Sequence, residues 1–441
     1  MNGGKKRLYV GDENNGQYFE TYKTDKRLSV RVFKNATVYP AVSDVSTIDP
    51  LYGAYGVYDS AGVFCPCSAM RAGDLTPYPA QAINDNSEYF NESVIYGGVA
   101  YFHAYGHFLL ESTARLWFVL QNSEDTRPVV FIPVGKPERY MEFFDLLGIS
   151  RKRLIFINRP VRFKEIAVPE MSSHLEGGYT EEFMLPFRKA VENVPAEKYD
   201  KIYLTRRRFE FGNVCGEEIL EKIFKANGYK IVSPERLSVK RQIALMKGEK
   251  SVVSVLGSAT HNTVFCKKGT ECVVLNRAAN VCKAQMLVNS AAELDWCYVD
   301  TYFDCFPVSY FWGPYLVGVT SHLRSFCRDG GMKIPKGDIF PDAAGFAVKW
   351  ISTYGGSAKV FNRLVSEKPA VGTVFSFKGL NFLERLARRR RNVREIAKLR
   401  RHLLRARLLS RFGYGRIKRK YSAKVTELNQ KLEKMRNETE F

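Results

Sequence analysis

At 441 residues, with 45% apolar and 26% charged side chains, the chain is too long for one ordinary core and too apolar for a disordered polymer. Its formal charge of +21 is localised: residues 378–441 hold 21 Lys and Arg against 6 Asp and Glu, a net of +15, so the body before them carries only +6. No stretch approaches 18 uninterrupted apolar residues, and the opening MNGGKKRLYVGDENNGQ has no apolar run behind its cations, so neither a spanning helix nor a signal peptide is expected.

Residues 1–95 read as short strands and loops, among them the β-prone run Leu28 to Phe33. From about residue 98 a rhythm sets in. Val99 to Phe102 reads as a strand, His107 to Leu120 as a helix, and Pro128 to Pro133 as a buried strand. Glu138 to Leu147 then reads as a helix and Arg153 to Ile157 as a strand. A helix over Thr180 to Glu192 leads to a second series. There Lys201 to Thr205, Tyr229 to Val232, Ser251 to Val255 and Glu271 to Leu275 are strands; Gly216 to Asn227 and Ser238 to about Gly248 are helices. Strands alternating with helices predict parallel βαβ units in two α/β halves joined near residue 195. The nine cysteines, odd in number and scattered, predict reduced thiols, and Cys65-Pro-Cys67 reads as two small thiols rather than a metal pair.

Three segments could carry chemistry. Ser251-Val-Val-Ser-Val-Leu-Gly-Ser-Ala-Thr-His-Asn-Thr-Val-Phe265 is an apolar strand running into small residues and a helix start. Gly257 and Ser258 would let the backbone approach a diphosphate, with Thr260, His261 and Asn262 as side-chain donors. An ordinary strand–turn–helix with a capping threonine is the competing reading. Tyr203-Leu-Thr-Arg-Arg-Arg208 sets arginines directly after a strand, where Arg206 and Arg207 could grip phosphate or form a solvated basic turn. In Tyr101-Phe-His-Ala-Tyr-Gly-His-Phe-Leu-Leu-Glu111, His107 and Glu111 are four apart and share a helical face. Either could take a proton from an attacking hydroxyl, or the pair could tie helix to sheet.

Taken in order, these segments resemble glycosyltransferase family 61, the family of the DUF563 domain. The resemblance rests on Tyr105-Gly-His-Phe-Leu-Leu-Glu111, on Tyr203-Leu-Thr-Arg-Arg207, on Ile231 to Gln242, and on Leu256 to Phe265 followed by Gly269-Thr-Glu271. It implies a GT-B-like pair of Rossmann-type domains with a cleft between them, inversion at the anomeric carbon, and neither cofactor nor obligatory metal. By it Arg206 is the donor-phosphate arginine, Gly257 and Asn262 belong to the donor loop, and Glu235 also lies on the donor side. The chain departs from the family in that loop: the family's His is Leu256, its second Gly is Ala259 and its Leu-Thr is Thr260-His261.

The implied organisation is an acceptor-side α/β domain at 1–194, a nucleotide-sugar domain at 195–335, a return segment at 336–377 and a basic tail at 378–441. The tail interleaves Leu and Ile at helical spacing with arginines, a pattern that suits an anionic membrane surface, an oligomer or packing contact, or nucleic acid. The expectation is an inverting transferase of bacterial capsule, lipopolysaccharide or other surface-polysaccharide synthesis, cytoplasmic and peripheral on the inner face of the membrane. Its rivals are a basic nucleic-acid-binding protein and a degenerate transferase serving as a scaffold.

Overall fold

The structure, a computed structural model, describes residues 5–11, 17–40, 55–70, 87–175, 177–197, 199–209, 213–248, 250–303, 313–336, 341–354, 423–431 and 433. Strand β1 (Lys6–Tyr9) is followed by β2 (Val30–Tyr39), β3 (Gly56–Tyr58), β4 (Glu88–Tyr101), β5 (Val129–Val134), β6 (Leu154–Phe156) and β7 (Val161–Pro169). Strands β2 to β7 form a six-stranded sheet in the order β3-β2-β7-β4-β5-β6. A small hairpin, β8 (Ser173–His174) with β9 (Gly178–Tyr179), precedes β10 (Lys201–Leu204), β11 (Val214–Cys215), β12 (Lys230–Val232), β13 (Ser251–Val255), β14 (Glu271–Asn276), β15 (Asp295–Asp300) and β16 (Tyr315–Leu316). The second six-stranded sheet runs β1-β15-β14-β13-β10-β12, and every pairing in it is parallel.

The expected α/β character is present, with two departures. The first sheet is mixed, because β2 runs antiparallel to both β3 and β7 while β4, β5, β6 and β7 pair in parallel. Strand β1 belongs to the second sheet, although the sequence groups it with the first half. It lies in parallel register beside β15, with Arg7 paired to Glu271 of β14. Edge pairing of this kind depends on backbone groups that no side-chain pattern reveals.

Chain packing separates into two compact units. One comprises Met1–Phe209, Gly216–Phe303 and Val317–Phe340, and so holds both large sheets; the other comprises Glu210–Cys215, Asp304–Leu316 and Pro341–Phe441. Within the first unit one apolar cluster runs through both sheets, from Val38, Val99 and Phe131 to Val252 and Val274. Phe265, at the end of the turn after β13, stands 6.3 Å from Phe143 and 5.6 Å from Phe187, ring centre to ring centre. Those two rings lie on helix Met141–Leu146, which follows β5 of the first sheet, and on helix Leu185–Glu192, which follows the β8–β9 hairpin. Aromatic edges of this sort add about 1 kcal/mol each to the area they bury. They hold the turn after β13 against these two helices.

In the second unit, β11 pairs with β16 in parallel, and the Tyr354 hydroxyl, on helix Ala343–Tyr354, donates to the Gly313 carbonyl at 2.6 Å. Of the segment 336–377, residues 336 and 341–354 are described; of the basic tail 378–441, only 423–431 and 433 are, and 423–431 are helical. The remainder of both lies outside the described residues. The described cysteines are free thiols, and among the described residues no helix is long and apolar enough to cross a membrane.

Candidate functional site

In a parallel sheet the C-terminal strand ends leave backbone groups pointing past the last rung, which is where ligands of such sheets sit. β10 ends at Leu204, and the Thr205 N–H still reaches the Val232 carbonyl. Arg206 follows, 9% exposed, and its N–H donates to Oε1 of Glu217 at 2.8 Å. On the neighbouring strand end, a Cβ built on Gly257 would lie 1.4 Å from Arg206 Nη1 and 2.5 Å from Cζ. The guanidinium therefore lies directly on the glycine Cα, a place no other residue would leave open. Two segments 51 positions apart meet there, because neighbouring parallel strands bring their C-terminal ends to one edge.

The turn itself works differently from the expectation. The Thr260 hydroxyl donates to the Val255 carbonyl, and the Asn262 amide donates to Gln242 Oε1 at 3.0 Å and to the Ala259 carbonyl at 3.1 Å. His261 Nδ1 bonds Gln285 Oε1 at 2.8 Å. The three side chains taken as donors to phosphate thus have their donating hydrogens committed internally. What stays open is backbone: the N–H groups of Gly257, Ser258 and Ala259 have no partner among the described residues. Burial is the main reason the His261 imidazole is pushed down to about 4, with repulsion from His107 and Arg206 adding to it and the bond to Gln285 opposing it. It stands neutral at ordinary pH.

Facing this turn is the segment after β4. The regular helix expected over His107 to Leu120 is broken into three: a short α turn at Tyr105–His107, a π-helical stretch at Phe108–Ser112, and an α-helix at Leu116–Gln121. A π turn widens the helix and exposes carbonyls, and here side chains collect them. Thr113 Oγ1 donates to the Leu109 carbonyl, and Ser173 Oγ of β8 donates to the Leu110 carbonyl. The Ser112 hydroxyl in turn accepts from the Tyr101 N–H at the end of β4. Such stretches concentrate at functional sites. This one carries Glu111, 2% exposed, bonded to Nδ1 of the 40%-exposed His107. Proton donation from Nδ1 to the carboxylate leaves Nε2 as the imidazole's basic atom.

The two segments touch. The Tyr105 hydroxyl donates to Asn262 Oδ1 at 2.5 Å, and a Cβ on Gly106 would meet His261 Cδ2 at 3.0 Å and Ser258 Oγ at 3.1 Å. His107, adjoining Gly106, is thereby one residue removed from the turn that holds the Arg206 guanidinium.

Not every expected residue joins this cluster. Arg207 turns outward, 57% exposed, with Nη1 3.5 Å from Glu221 Oε2. The chain turns there, the Phe209 N–H closing back on the Arg206 carbonyl at 2.9 Å, and the turn carries Arg207 away from the strand end that Arg206 occupies. Glu235 lies in the turn Pro234–Arg236 just past β12, and neither of its buried carboxylate oxygens accepts a hydrogen bond among the described residues. Among the described residues no group of three His, Cys, Asp or Glu is placed to hold a metal ion.

Sequence reasoning missed Glu217. This fully buried carboxylate opens helix Glu217–Ala226, and its Oε1 accepts from the Arg206 N–H and, at 3.3 Å, from the Tyr203 hydroxyl. Its Oε2 accepts nothing among the described residues. Burial raises its carboxyl to about 7, against the lowering influence of Arg206. An acidic residue opening a helix reads from sequence as a dipole cap, which hides the role.

The family Glycosyltransferase 61 has a model that matches residues 105–273 of this chain. The matched stretch begins at Tyr105 and takes in His107, Glu111, Arg206 and the whole turn 256–262. It supports a glycosyltransferase, and with it a sugar donor and an acceptor as substrates. No curated protein matches the chain.

Proposed function

We propose that this protein is an inverting glycosyltransferase that moves a sugar from a nucleotide-sugar donor to a glycan or glycolipid acceptor, in bacterial surface-polysaccharide synthesis. The observation that carries the reading is the Arg206 guanidinium lying on Gly257 beside three open backbone N–H groups. A cationic fork and convergent amides in a nearly buried place suit a diphosphate, whose charge grows as it leaves. They supply this stabilisation without calling on an obligatory metal. Glu235, past the neighbouring strand end, offers carboxylate oxygens to the ribose hydroxyls of the donor.

His107 is the general base in this reading, and Glu111 orients it. The acceptor hydroxyl gives its proton to His107 Nε2 while its oxygen bonds to the anomeric carbon. On the opposite face the bond from that carbon to the diphosphate oxygen breaks, and the electron pair leaves with the diphosphate. Buried Glu111 fixes the tautomer through Nδ1 and stabilises the imidazolium as it forms. The first sheet, within 1–194, then serves as the acceptor side of a GT-B-like enzyme. The second sheet, built by 195–335 with β1 added at its edge, serves as the donor side, and the basic tail from 378 holds the protein to the inner face of the membrane.

A thermal-shift screen against UDP, GDP, CMP and dTDP sugars tests the donor site, because a ligand at 100 times its Kd stabilises the fold by about 2.7 kcal/mol. A hit names the donor class; no shift with any of them would overturn the reading. Steep salt-dependent RNA binding lost with residues 378–441 would favour a nucleic-acid-binding protein instead. A scaffold would show no hydrolysis of any nucleotide sugar.

A further inference from the structure

A chain of buried side chains runs inward from the turn after β13. Gln285, fully buried on helix Lys283–Ala291, accepts from His261 through Oε1 and donates through Nε2 to Thr263 Oγ1 at 3.1 Å and Asn289 Oδ1 at 2.9 Å. Asn289 passes its own amide hydrogen to the Tyr298 hydroxyl at 2.9 Å. The chain has a direction. Thr263 gives its single hydroxyl hydrogen to the Thr260 carbonyl at 2.9 Å, so its oxygen can only accept from Gln285. The Gln285 amide nitrogen must therefore face Thr263 and Asn289, its oxygen must face His261, and His261 must carry its proton on Nδ1. Nε2 is left as a lone pair with no partner among the described residues, on a ring that is 7% exposed.

The ring stands between the two ends of the site. Gly106, beside the His107–Glu111 pair, approaches its Cδ2, the atom next to Nε2, while Gly257 with Arg206 precedes it on the same turn. Resting on the donor reading above, we propose that His261 Nε2 accepts a hydrogen bond from a hydroxyl of the sugar being transferred, making His261 a specificity-determining residue. A neutral acceptor with no hydrogen to give is unsuited to phosphate oxygens and suited to an alcohol. Burial holds the ring neutral, pushed down to about 4, so this character persists at any working pH. A site that accepts from a substrate hydroxyl discriminates against a sugar lacking it, because the buried acceptor is then left unmatched.

Two measurements on the full-length chain decide the matter. Two-bond proton–nitrogen NMR of histidine-labelled protein without ligand, with His261 identified by its loss in His261→Phe, should show Nδ1 protonated and Nε2 bare. The opposite tautomer would overturn the proposal. Affinities are then compared for UDP, GDP and dTDP and for their hexose conjugates, with acceptor-free hydrolysis of the conjugates. His261→Phe should keep the nucleoside diphosphate affinity within about twofold and weaken the matching conjugate, with slower hydrolysis, by roughly tenfold. An unchanged conjugate, or equal losses for diphosphate and conjugate, would refute the assignment. Should His261→Phe fail to fold, His261→Gln is subjected to the same comparison. If wild-type protein binds none of these nucleotides, the donor reading itself falls and this assignment with it, whereas binding that ignores His261 removes only the assignment.

Discussion

Gly257→Ala probes the closest approach in the site. The added methyl carbon would sit 1.4 Å from Arg206 Nη1 and 2.5 Å from Cζ, where van der Waals contact requires about 3.5 Å. The obstructing atoms are the far end of a flexible side chain, so the guanidinium withdraws by about 2 Å and the fold survives. Gly257 also sits at φ +159°, where a Cβ is strained, so the variant should lose about 1–3 kcal/mol of stability, and its binding is measured well below its Tm. The cost to the ligand is larger. A hydrogen bond to a charged group contributes roughly 1.5–3 kcal/mol, equivalent to about 10- to 150-fold in affinity. Isothermal titration with the best nucleoside diphosphate, on wild type, Gly257→Ala, Arg206→Ala and the double variant, separates the terms. If the methyl acts only by displacing the guanidinium, the double variant should bind no more weakly than Arg206→Ala alone. Wild-type affinity in Gly257→Ala, or fully additive losses in the double variant, would refute the shared grip.

His107→Ala should cut acceptor-dependent transfer by about 10²- to 10⁴-fold while leaving nucleotide affinity intact, the range of a lost general base, and Glu111→Gln should fall short of that; full transfer rates in both would remove the base assignment. Glu217 binds its proton more tightly folded than unfolded, its carboxyl being raised from 4.5 to about 7 by burial. Its contribution is therefore present below pH 4.5 and lost as pH rises to 7, by roughly 3 kcal/mol at about 1.4 kcal/mol per pH unit. His261, lowered from 6.5 to about 4, acts in the opposite sense over nearly the same window, its contribution lost as pH falls from 6.5 to about 4. Comparing urea unfolding of Glu217→Gln with wild type at each pH isolates the Glu217 part, and parallel curves would show that its carboxyl is not raised. Deleting residues 378–441 should abolish co-sedimentation with anionic phosphatidylglycerol vesicles and spare nucleotide binding; retained vesicle binding would place the membrane contact elsewhere.

Much of the fold can be read along the chain because it is local. The apolar runs from Val129, Lys201, Ser251 and Glu271 are strands, and the helix Glu217–Ala226 stops where Asn227-Gly228 says it should, with Gly228 at φ 86°. The meeting of Arg206 with Gly257 was likewise legible, since parallel strands bring their C-terminal ends to one edge. The π turn that carries Glu111 was not, because a period of 3.6 fits the residues equally well and bonds to Tyr101 and from Ser173, outside the segment, hold the wider turn. Nor was the fate of Thr260, His261 and Asn262. Their residue types announce donors, yet whether a hydrogen is free for a ligand depends on partners such as Gln242 and Gln285, about 20 residues away in sequence and adjacent only after folding. Sequence by itself determined the strand–helix order and which strand ends carry polar chemistry. The tertiary structure alone decided which polar atoms remain open, because hydrogen bonds are satisfied across the core and not along the chain.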